Sequence, residues 1–322
     1  MKKGVFFMQY NRLGKSGLQV SRISLGSWLT YGNSVEAERA TVTIDKAYEL
    51  GINFFDTANA YARGEAEKVL GQALRKYDRS SYVLATKVFN KMGEGPNDFG
   101  LSRKHIFEQV HASLKRLDTD YLDILYCHRF DPNTPLEESL RTIDDLIRQG
   151  KILYMGVSKW TADQIVEGLR VQDRYLLDHI VVNQPTYHLF DRSIEESLAP
   201  TSILNGIGLV VFSPLAQGLL TGKYRKGHPI PEDSRAADPK ANQSMQRFLT
   251  DENLDKVEKL IVLADELNIS LTELSLAWIL HQPGIDSVLM GASRPSQVEE
   301  NVKALDIKLS PEVMKKIDEI VR

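Results

Sequence analysis

Three polar side chains adjoin two apolar runs in a pattern that could transfer a proton. The run 52–55 ends at Asp56, and the run 82–86 ends at Lys87. Tyr61 follows Asp56 by five positions. A carboxylate at the end of a buried strand is unfavourable unless a cation meets it. We therefore predict an ion pair between Asp56 and Lys87, with Tyr61 beside it as the group that exchanges a proton.

Tyr61 could act as a proton donor if its phenolate is stabilised. A phenol titrates near pH ~10, and a lysine ammonium about 4 Å away stabilises the phenolate by up to ~4 kcal/mol at an effective dielectric near 20. Desolvation opposes part of this effect. Tyr61 could then protonate a carbonyl oxygen as hydride reaches the carbon. His128, which follows the predicted strand 121–127, could orient the same oxygen. We predict no metal, because a lone His and a lone Asp lack the ligand number.

Each of these side chains also has a purely structural interpretation. Asp56 and Lys87 could be a structural ion pair, Tyr61 a loop anchor, and His128 a satisfied histidine at a strand end. Their occurrence at successive strand ends favours the chemical interpretation.

The elements that would position these residues alternate between strand and helix. Most strand candidates are apolar runs without period-two alternation, as expected when both faces are covered. Their number and the chain length favour a (β/α)8 TIM barrel, and no GxGxxG motif follows an early strand. We predict a β-hairpin over 10–23, and strands at 23–25, 52–56, 82–87, 121–127, 152–157, 179–182, 209–212 and 287–290. Helices are predicted at 35–50, 64–76, 102–117 (capped by Ser102), 135–150, after the cap Thr161, 194–204, 254–267, 271–281, up to 304, and from 311.

Length, charge and cysteine content narrow the class of protein. The net charge of −3 and the pI near 6.2 argue against general binding of nucleic acid or anionic membranes. No apolar run approaches the ~20 residues of a membrane span. The single cysteine, Cys127, excludes an internal disulfide and fits a reducing cytoplasm; we predict that it is a core residue. Residues 1–8 are predicted as an N-terminal extension and 9–322 as a single domain.

The same residues resemble the catalytic tetrad of the aldo-keto reductase family: Asp56-Thr57-Ala58 with Tyr61, Lys87 and Tyr126-Cys127-His128. Five further motifs resemble the subgroup that contains the β subunits of voltage-gated potassium channels. They are Leu13-Gly-Lys-Ser-Gly-Leu, Gly100-Leu-Ser-Arg-Lys-His-Ile, Asp131-Pro-Asn-Thr-Pro, Ser213-Pro-Leu-Ala-Gln-Gly and Gly291-Ala-Ser-Arg-Pro-Ser-Gln-Val-Glu-Glu-Asn.

The resemblance implies a (β/α)8 barrel that reduces aldehydes or ketones to alcohols with NADPH. It implies that Tyr61 is the general acid, that Lys87 tunes it, that Asp56 fixes Lys87 and that His128 orients the carbonyl. The channel β subunits are similar but have asparagine at the position of His128. The histidine therefore favours an enzyme with real turnover.

The resemblance also implies a set of cofactor-binding residues. Ser158 and Gln184 would hold the carboxamide, and Phe212 would stack on the nicotinamide. Lys159 departs from the asparagine of the family and the arginine of the subgroup. The remaining residues are Gly26, Ser27, Trp28, Asp56, Ser213, Pro214, Leu215, Ala216, Gln217, Gly218, Lys223, Arg235, Gly291, Ser293, Arg294, Gln297, Glu300 and Asn301.

Two of these groups would meet phosphates. Residues 213–218 and Lys223, with Arg235, would wrap the pyrophosphate, and the loop after Phe212 would close over the cofactor as a belt; the alternative is a disordered insertion. Arg294 at a helix N-terminus fits a phosphate, which predicts a preference for NADPH over NADH. Alternatively, Arg294 only solvates the start of the helix.

Two competing functions stay open. The first is an NADP(H)-binding regulatory subunit with incidental turnover, and the second is a metal-free barrel isomerase. The substrate, a small carbonyl compound, is not identified by the sequence, and channel-type relatives form tetramers, so homo-oligomerisation is open too. Five aromatic residues could line the substrate pocket or belong to the core: Trp28, Tyr31, Phe89, Trp160 and Tyr187.

Overall fold

The computed structural model is a closed barrel of eight parallel strands, with neighbours in the order β10-β3-β4-β5-β6-β7-β8-β9. It describes residues 7–28, 31, 37–232, 234–237, 245 and 248–322. The barrel strands are β3 (Ile23–Gly26), β4 (Phe54–Asp56), β5 (Val83–Val88), β6 (Leu122–Cys127), β7 (Ile152–Ser158), β8 (Ile180–Gln184), β9 (Gly208–Phe212) and β10 (Ile285–Gly291). The predicted (β/α)8 barrel is confirmed.

The predicted hairpin is also confirmed, as β1 (Tyr10–Arg12) paired antiparallel with β2 (Gln19–Ser21). It packs at the N-terminal end of the barrel through its turn. Gly14 has φ +55, and a Cβ there would lie 2.3 Å from the Gly206 carbonyl oxygen, so only glycine fits this close approach. The Gly14 N–H donates to Asp286 Oδ2 at 2.7 Å, which attaches the hairpin to β10.

Ten α-helices are found among the described residues, and most of them cover the outer face of the barrel. They are α1 (Ala37–Glu49), α2 (Glu65–Leu74), α3 (Arg103–Leu117), α4 (Leu136–Arg148), α5 (Ala162–Tyr175), α6 (Leu198–Asn205), α7 (Asp251–Glu266), α8 (Leu271–Leu280), α9 (Pro295–Val302) and α10 (Pro311–Val321). The predicted N-caps are present. Ser102 accepts from the His105 N–H, and Thr161 forms a capping box with Gln164.

The predicted helix at 194–204 is wrong at its start. A 3-10 turn, Ser193–Glu195, comes first, and α6 begins at Leu198. Pro200 explains the difference. A helix begun at Ile194 would place Pro200 in its interior, without an N–H to donate and with its ring against the preceding turn, whereas a start at Leu198 puts it in the first turn. The first two residues of the predicted helix 35–50 lie outside the described part of the chain.

The core has two layers. One fills the barrel itself and includes Leu13, Phe54, Ile124, Tyr126 and Val210. The other lies between the strands and the surrounding helices, and it contains the buried thiol of Cys127, so the prediction that Cys127 is a core residue is confirmed.

No helix within the described residues is both long and apolar enough to cross a membrane. The N-terminal extension lies largely outside the described residues, and the single domain over 9–322 stays a prediction.

Candidate active site

The ion pair follows directly from the pairing of β4 and β5. Asp56 is opposite Ala85 in this parallel pair, and Lys87 lies two residues beyond Ala85. Residues two apart on a strand share a face, so Asp56 and Lys87 both point into the barrel. Lys87 Nζ donates to Asp56 Oδ1 and, at 2.7 Å, to the Thr57 carbonyl oxygen. The ion pair expected from the sequence is therefore present.

A hydrogen bond across the barrel completes the surroundings of Asp56. Gln184 Nε2 donates to Asp56 Oδ2 at 2.9 Å. Gln184 belongs to β8 and Asp56 to β4, and four steps separate these strands in either direction around the barrel. The bond thus spans the C-terminal mouth along a diameter and braces one wall against the opposite one.

Burial acts on both members of the ion pair. Asp56 and Lys87 are each 1% exposed. Burial raises the pKa of Asp56, although Lys87 and Gln184 lower it. For Lys87, burial lowers the pKa, but the negative charge of Asp56 and the hydrogen bonds to Asp56 and Tyr61 raise the pKa overall. Lys87 is consequently held as an ammonium at neutral pH.

Tyr61 is carried by an unusual turn at the C-terminal mouth. The 3-10 turn Tyr61–Gly64 contains three successive left-handed residues, Ala62 (φ 48), Arg63 (φ 53) and Gly64 (φ 94). Left-handed backbone at non-glycine residues is unfavourable and clusters at functional sites. This turn brings the Tyr61 ring to a point where Lys87 Nζ is 5.0 Å from the ring centroid.

A buried carboxylate fixes this turn to its neighbours. Glu67, in α2, accepts from Arg116 Nε at 2.6 Å and from Thr86 Oγ1 at 2.5 Å. Arg116 also packs against Gly64, where a Cβ would lie 2.7 Å from Arg116 Cδ. The residue before Lys87 and the turn after Tyr61 are thus linked through one carboxylate. Sequence reasoning did not include Glu67 or Arg116.

The Tyr61 phenol is protonated at neutral pH. Burial raises its pKa, and the opposing Lys87 charge is too weak to reverse that shift. We expected the lysine to be the stronger influence, but the depth of the phenol makes desolvation the larger effect. A phenol that keeps its proton at neutral pH suits a proton donor rather than a base.

His128 completes the tetrad from the end of β6. Its ring centroid is 5.8 Å from that of Tyr61, with an angle of 76° between the planes. Burial lowers its pKa well below the ordinary value, and the charges of Lys87, Arg129 and Lys159 lower it further. The imidazole is therefore neutral at neutral pH.

Asn90, which sequence reasoning did not include, contacts His128 directly. Asn90 Nδ2 lies 3.0 Å from His128 Nδ1. With the NH2 group facing the ring, Nδ1 accepts this hydrogen bond, so the neutral imidazole carries its proton on Nε2. The only sequence signal for Asn90 is that a polar residue follows Lys87 by three positions, near the end of β5.

The residues expected at the nicotinamide lie next to the tetrad. Ser158 and Gln184 are paired in the register of β7 and β8, and Ser158 Oγ donates to the Gln184 carbonyl oxygen at 2.9 Å. Phe212 is half-buried at the end of β9, and Lys159 Nζ lies 5.1 Å from its ring centroid.

The residues predicted after β3 are also beside Asp56. The Ser27 N–H donates to the Asp56 carbonyl oxygen at 3.0 Å, and Ser27 Oγ donates to Thr57 Oγ1 at 2.8 Å. Gly26 is paired with Asp56 in the β3–β4 register, and Trp28 is 37% exposed.

The loop after β9 has a strained backbone suited to an anion. Ser213 (φ 57), Ala216 (φ 46), Gln217 (φ 61) and Gly218 (φ 107) are all left-handed. Mixed right- and left-handed backbone forms concavities lined by N–H groups, which bind phosphates. Pro214 and Leu215 complete this loop. Such a loop could accommodate the pyrophosphate of a dinucleotide. Part of the predicted belt, residues 233, 238–244 and 246–247, lies outside the described residues.

Two cations flank this loop. Arg235 donates to Gln217 Oε1, and Gln217 Nε2 donates to Ser213 Oγ at 2.8 Å. Lys223 is exposed, and a Cβ on Gly218 would lie 3.6 Å from its Nζ. The chain of hydrogen bonds from Arg235 to Ser213 places a cation beside this left-handed backbone. The role of these residues at a pyrophosphate stays a prediction.

The segment after β10 forms the start of α9. Arg294 is its exposed N-cap, and the Ser293 N–H and Oγ donate to Gln297 Oε1 at 2.8 and 3.2 Å. Asn301 is buried and donates to Met290 Sδ at 3.0 Å. Gly291 is exposed and Glu300 half-buried. Gln297 thus orders the residue before Arg294, while Asn301 packs on β10.

The aromatic residues proposed for a substrate pocket are mostly core residues. Tyr31, Trp160 and Tyr187 are each 1% exposed. Trp160 packs on Phe130, and Tyr187 packs on Trp278. Trp28 and Phe89 keep exposed surface.

Comparison with known proteins places the chain among proteins of one family. The sequence model of the Aldo/keto reductase family matches residues 22–322. A protein of Arabidopsis thaliana named "Probable voltage-gated potassium channel subunit beta" is 47% identical over 320 residues, which cover 98% of this chain and 97% of that protein. A rice protein (Oryza sativa subsp. japonica) of the same name is 46% identical over 320 residues, with 98% and 97% coverage.

A relative from Schizosaccharomyces pombe (strain 972 / ATCC 24843), also named as such a subunit, is 44% identical over 319 residues, with 96% and 92% coverage. The resemblance to the channel-subunit group is thereby confirmed. Together with the barrel and the match over residues 22–322, these comparisons show that the chain belongs to the aldo/keto reductase family of oxidoreductases.

Proposed function

We propose that the chain is an NADPH-dependent reductase that converts aldehydes or ketones to alcohols, with Tyr61 as the general acid. The observation that supports this best is the grouping of Tyr61 with Lys87, Asp56 and His128 at the mouth of the barrel. A protonated phenol and a neutral imidazole with an Nε2 proton offer two donors to one carbonyl oxygen.

The protein side chains carry the proton and hold the oxygen. When bound, the reduced nicotinamide supplies the hydride. Tyr61 gives its proton to the carbonyl oxygen, and Lys87 stabilises the phenolate that remains. Asp56 keeps Lys87 charged and directed at the phenol. The His128 Nε2–H donates to the same oxygen and lowers the energy of the negative charge that develops there.

The proposed cofactor contacts form two groups. Ser158, Gln184 and Phe212 hold the nicotinamide next to the tetrad. The loop 213–218, with Lys223 and Arg235, binds the pyrophosphate. Arg294, exposed at the N-terminus of α9, meets the 2′-phosphate of the adenosine end, which is why we propose NADPH rather than NADH.

The first test is NADPH consumption with a panel of small aldehydes, dicarbonyls and aromatic aldehydes, beside the variant His128→Asn. Saturable turnover that falls at least ~100-fold in the variant supports the reductase, since general acid and oxyanion groups contribute about that much. Tight NADPH binding with no turnover of any carbonyl would contradict it.

A second candidate is a cofactor-binding regulatory subunit. It is favoured by the names of the relatives, which are 44 to 47% identical to this chain. Turnover faster than release of the oxidised cofactor in a single-turnover experiment argues for the enzyme. A single slow turnover limited by release of the cofactor, whichever carbonyl is offered, argues for the regulatory subunit.

A further inference from the structure

Arg129 folds back over the end of the strand that carries His128. It follows His128 directly, and its Nη1 donates to the His128 carbonyl oxygen at 2.6 Å. The side chain is half-buried. This hydrogen bond holds the guanidinium at the C-terminal mouth of the barrel, beside the tetrad, instead of letting it extend into solvent.

The guanidinium charge acts on both groups that face the carbonyl oxygen. It lowers the pKa of the Tyr61 phenol and also that of the His128 imidazole. Because Arg129 follows His128 and its guanidinium is hydrogen-bonded to the His128 backbone, a substrate that contacts the imidazole comes within reach of the guanidinium.

Arg129 has no carboxylate within 4.0 Å among residues 7–28, 31, 37–232, 234–237, 245 and 248–322, and the partly buried Arg22 and Arg235 share this feature. Other partly buried arginines are paired. Arg79, Arg116 and Arg192 are also partly buried, and each is paired with Asp or Glu. Burial lowers the pKa of Arg129 and thus opposes its charge. A partly buried guanidinium with donors to spare is a site for an external anion.

We infer that Arg129 binds a carboxylate on the substrate, so that the enzyme prefers aldehydes and ketones that carry a carboxylate near the carbonyl. This inference rests on the proposed reductase function. A guanidinium suits a carboxylate because its planar fork can donate two parallel hydrogen bonds. The same contact exists in the bound substrate and in the transition state, so it acts mainly on KM.

The test compares each carboxybenzaldehyde (ortho, meta and para) with its methyl ester, which differs in charge but keeps a similar carbonyl. We expect kcat/KM for the best acid to exceed that of its ester by about 10- to 100-fold, the range for a hydrogen-bonded charge. In Arg129→Gln, which removes the charge but keeps a donor, the ratio should fall to about one. An unchanged ratio in this variant would overturn the inference.

Arg63→Gln is the matched control. Arg63 is an exposed arginine in the turn after Tyr61, and its removal should leave the acid-to-ester ratio unchanged. Equal loss of the ratio in both variants would mean that general surface charge, and not Arg129, attracts the acids, which would overturn the inference.

Binding without turnover separates this inference from the proposed function. Benzoate and benzamide are titrated calorimetrically into the protein saturated with oxidised cofactor. We expect benzoate to bind at least about 10-fold more tightly than benzamide, with the difference lost in Arg129→Gln. No preference for benzoate overturns the carboxylate site even if carbonyls are reduced. A preference without any turnover supports the site and contradicts the reductase.

Discussion

The Asn90 side-chain amide lies 3.0 Å from Nδ1 of His128, and we propose that the other ring nitrogen, Nε2, faces the substrate. Because the His128 pKa is well below its ordinary value, the ring is neutral and has a single proton to place. The contact with Asn90 decides which nitrogen carries it. In the proposed reaction, Asn90 would therefore be a positioning residue that acts through His128.

Asn90→Asp should make activity depend on pH near neutrality. An aspartate would accept from Nδ1–H and raise the His128 pKa, so above that pKa the neutral ring would lose its Nε2 proton. We expect kcat/KM of the variant to fall about 10- to 100-fold as pH rises through the raised His128 pKa, which is the size of effect found for residues that orient metal-bound histidines. The measurement is the pH profile of kcat/KM.

The control for this experiment is Asn90→Leu, which removes the contact without adding a charge. It should lower kcat/KM without a new limb in the pH profile. A flat profile for Asn90→Asp, like that expected for the unchanged protein, would show that Asn90 does not set the tautomer.

Tyr61→Phe should abolish carbonyl reduction. Phenylalanine keeps the aromatic ring near Lys87 but lacks the hydroxyl proton. We therefore expect at least a ~100-fold loss of kcat, with an NADPH affinity within a few-fold of that of the unchanged protein. Turnover and fluorescence titration of NADPH are the two measurements. If the variant kept most of its rate, another group would be the proton donor.

Arg294→Ala should weaken NADPH much more than NADH. The guanidinium is exposed at the start of α9, and its charge matters only to the cofactor with a 2′-phosphate. We expect roughly a 10- to 100-fold loss for NADPH and little change for NADH, measured by fluorescence titration of both. Equal losses of affinity for NADPH and NADH would show that Arg294 does not bind the 2′-phosphate.

Asp286→Asn should change how stability depends on pH. Asp286 accepts from the Gly14 N–H at 2.7 Å, and burial raises its pKa to about 6, whereas an unfolded aspartate titrates near ~3.9. The folded state thus binds the proton more tightly. The stabilising contribution of the protonated Asp286 carboxyl is present below about pH 4 and is lost as pH rises through about 6.

Asparagine keeps an acceptor for Gly14 and has no charge to bury. The free energy of unfolding of both proteins is measured by urea titration between about pH 4 and 7. We expect the value for the variant, relative to that for the unchanged protein, to increase by on the order of 2 kcal/mol as pH rises over this range. A constant difference over this range would mean that Asp286 does not titrate as we infer.

The strands of the barrel were predictable because strands that are buried on both faces are mostly apolar along their length, as in residues 52–55 and 209–212. The ion pair of Asp56 and Lys87 was predictable for a related reason. Parallel strands bring their C-terminal ends to one rim, so polar residues that end two such runs must meet.

Other features depend on packing that no local pattern encodes. The sign of the Tyr61 pKa shift depends on how deeply the phenol lies, and the contact between Asn90 and His128 depends on the path of a loop. For Tyr31, Trp160 and Tyr187 the structure favours the core alternative over the substrate pocket, since each is 1% exposed. The sequence could not decide between them, because aromatic residues are common in cores as well as in binding sites. The start of α6, in contrast, could have been predicted from the position of Pro200.

The bond from Gln184 to Asp56 joins the two halves of the chain. The tetrad comes entirely from the segment before β7, whereas Ser158, Gln184, Phe212 and Arg294 come from β7 onwards. Neither half contains both a proton donor and the proposed nicotinamide contacts. In a refolding experiment, carbonyl reduction would therefore begin only when the barrel closes. The recovery of activity would report closure of the barrel, whereas circular dichroism would report the earlier formation of helices.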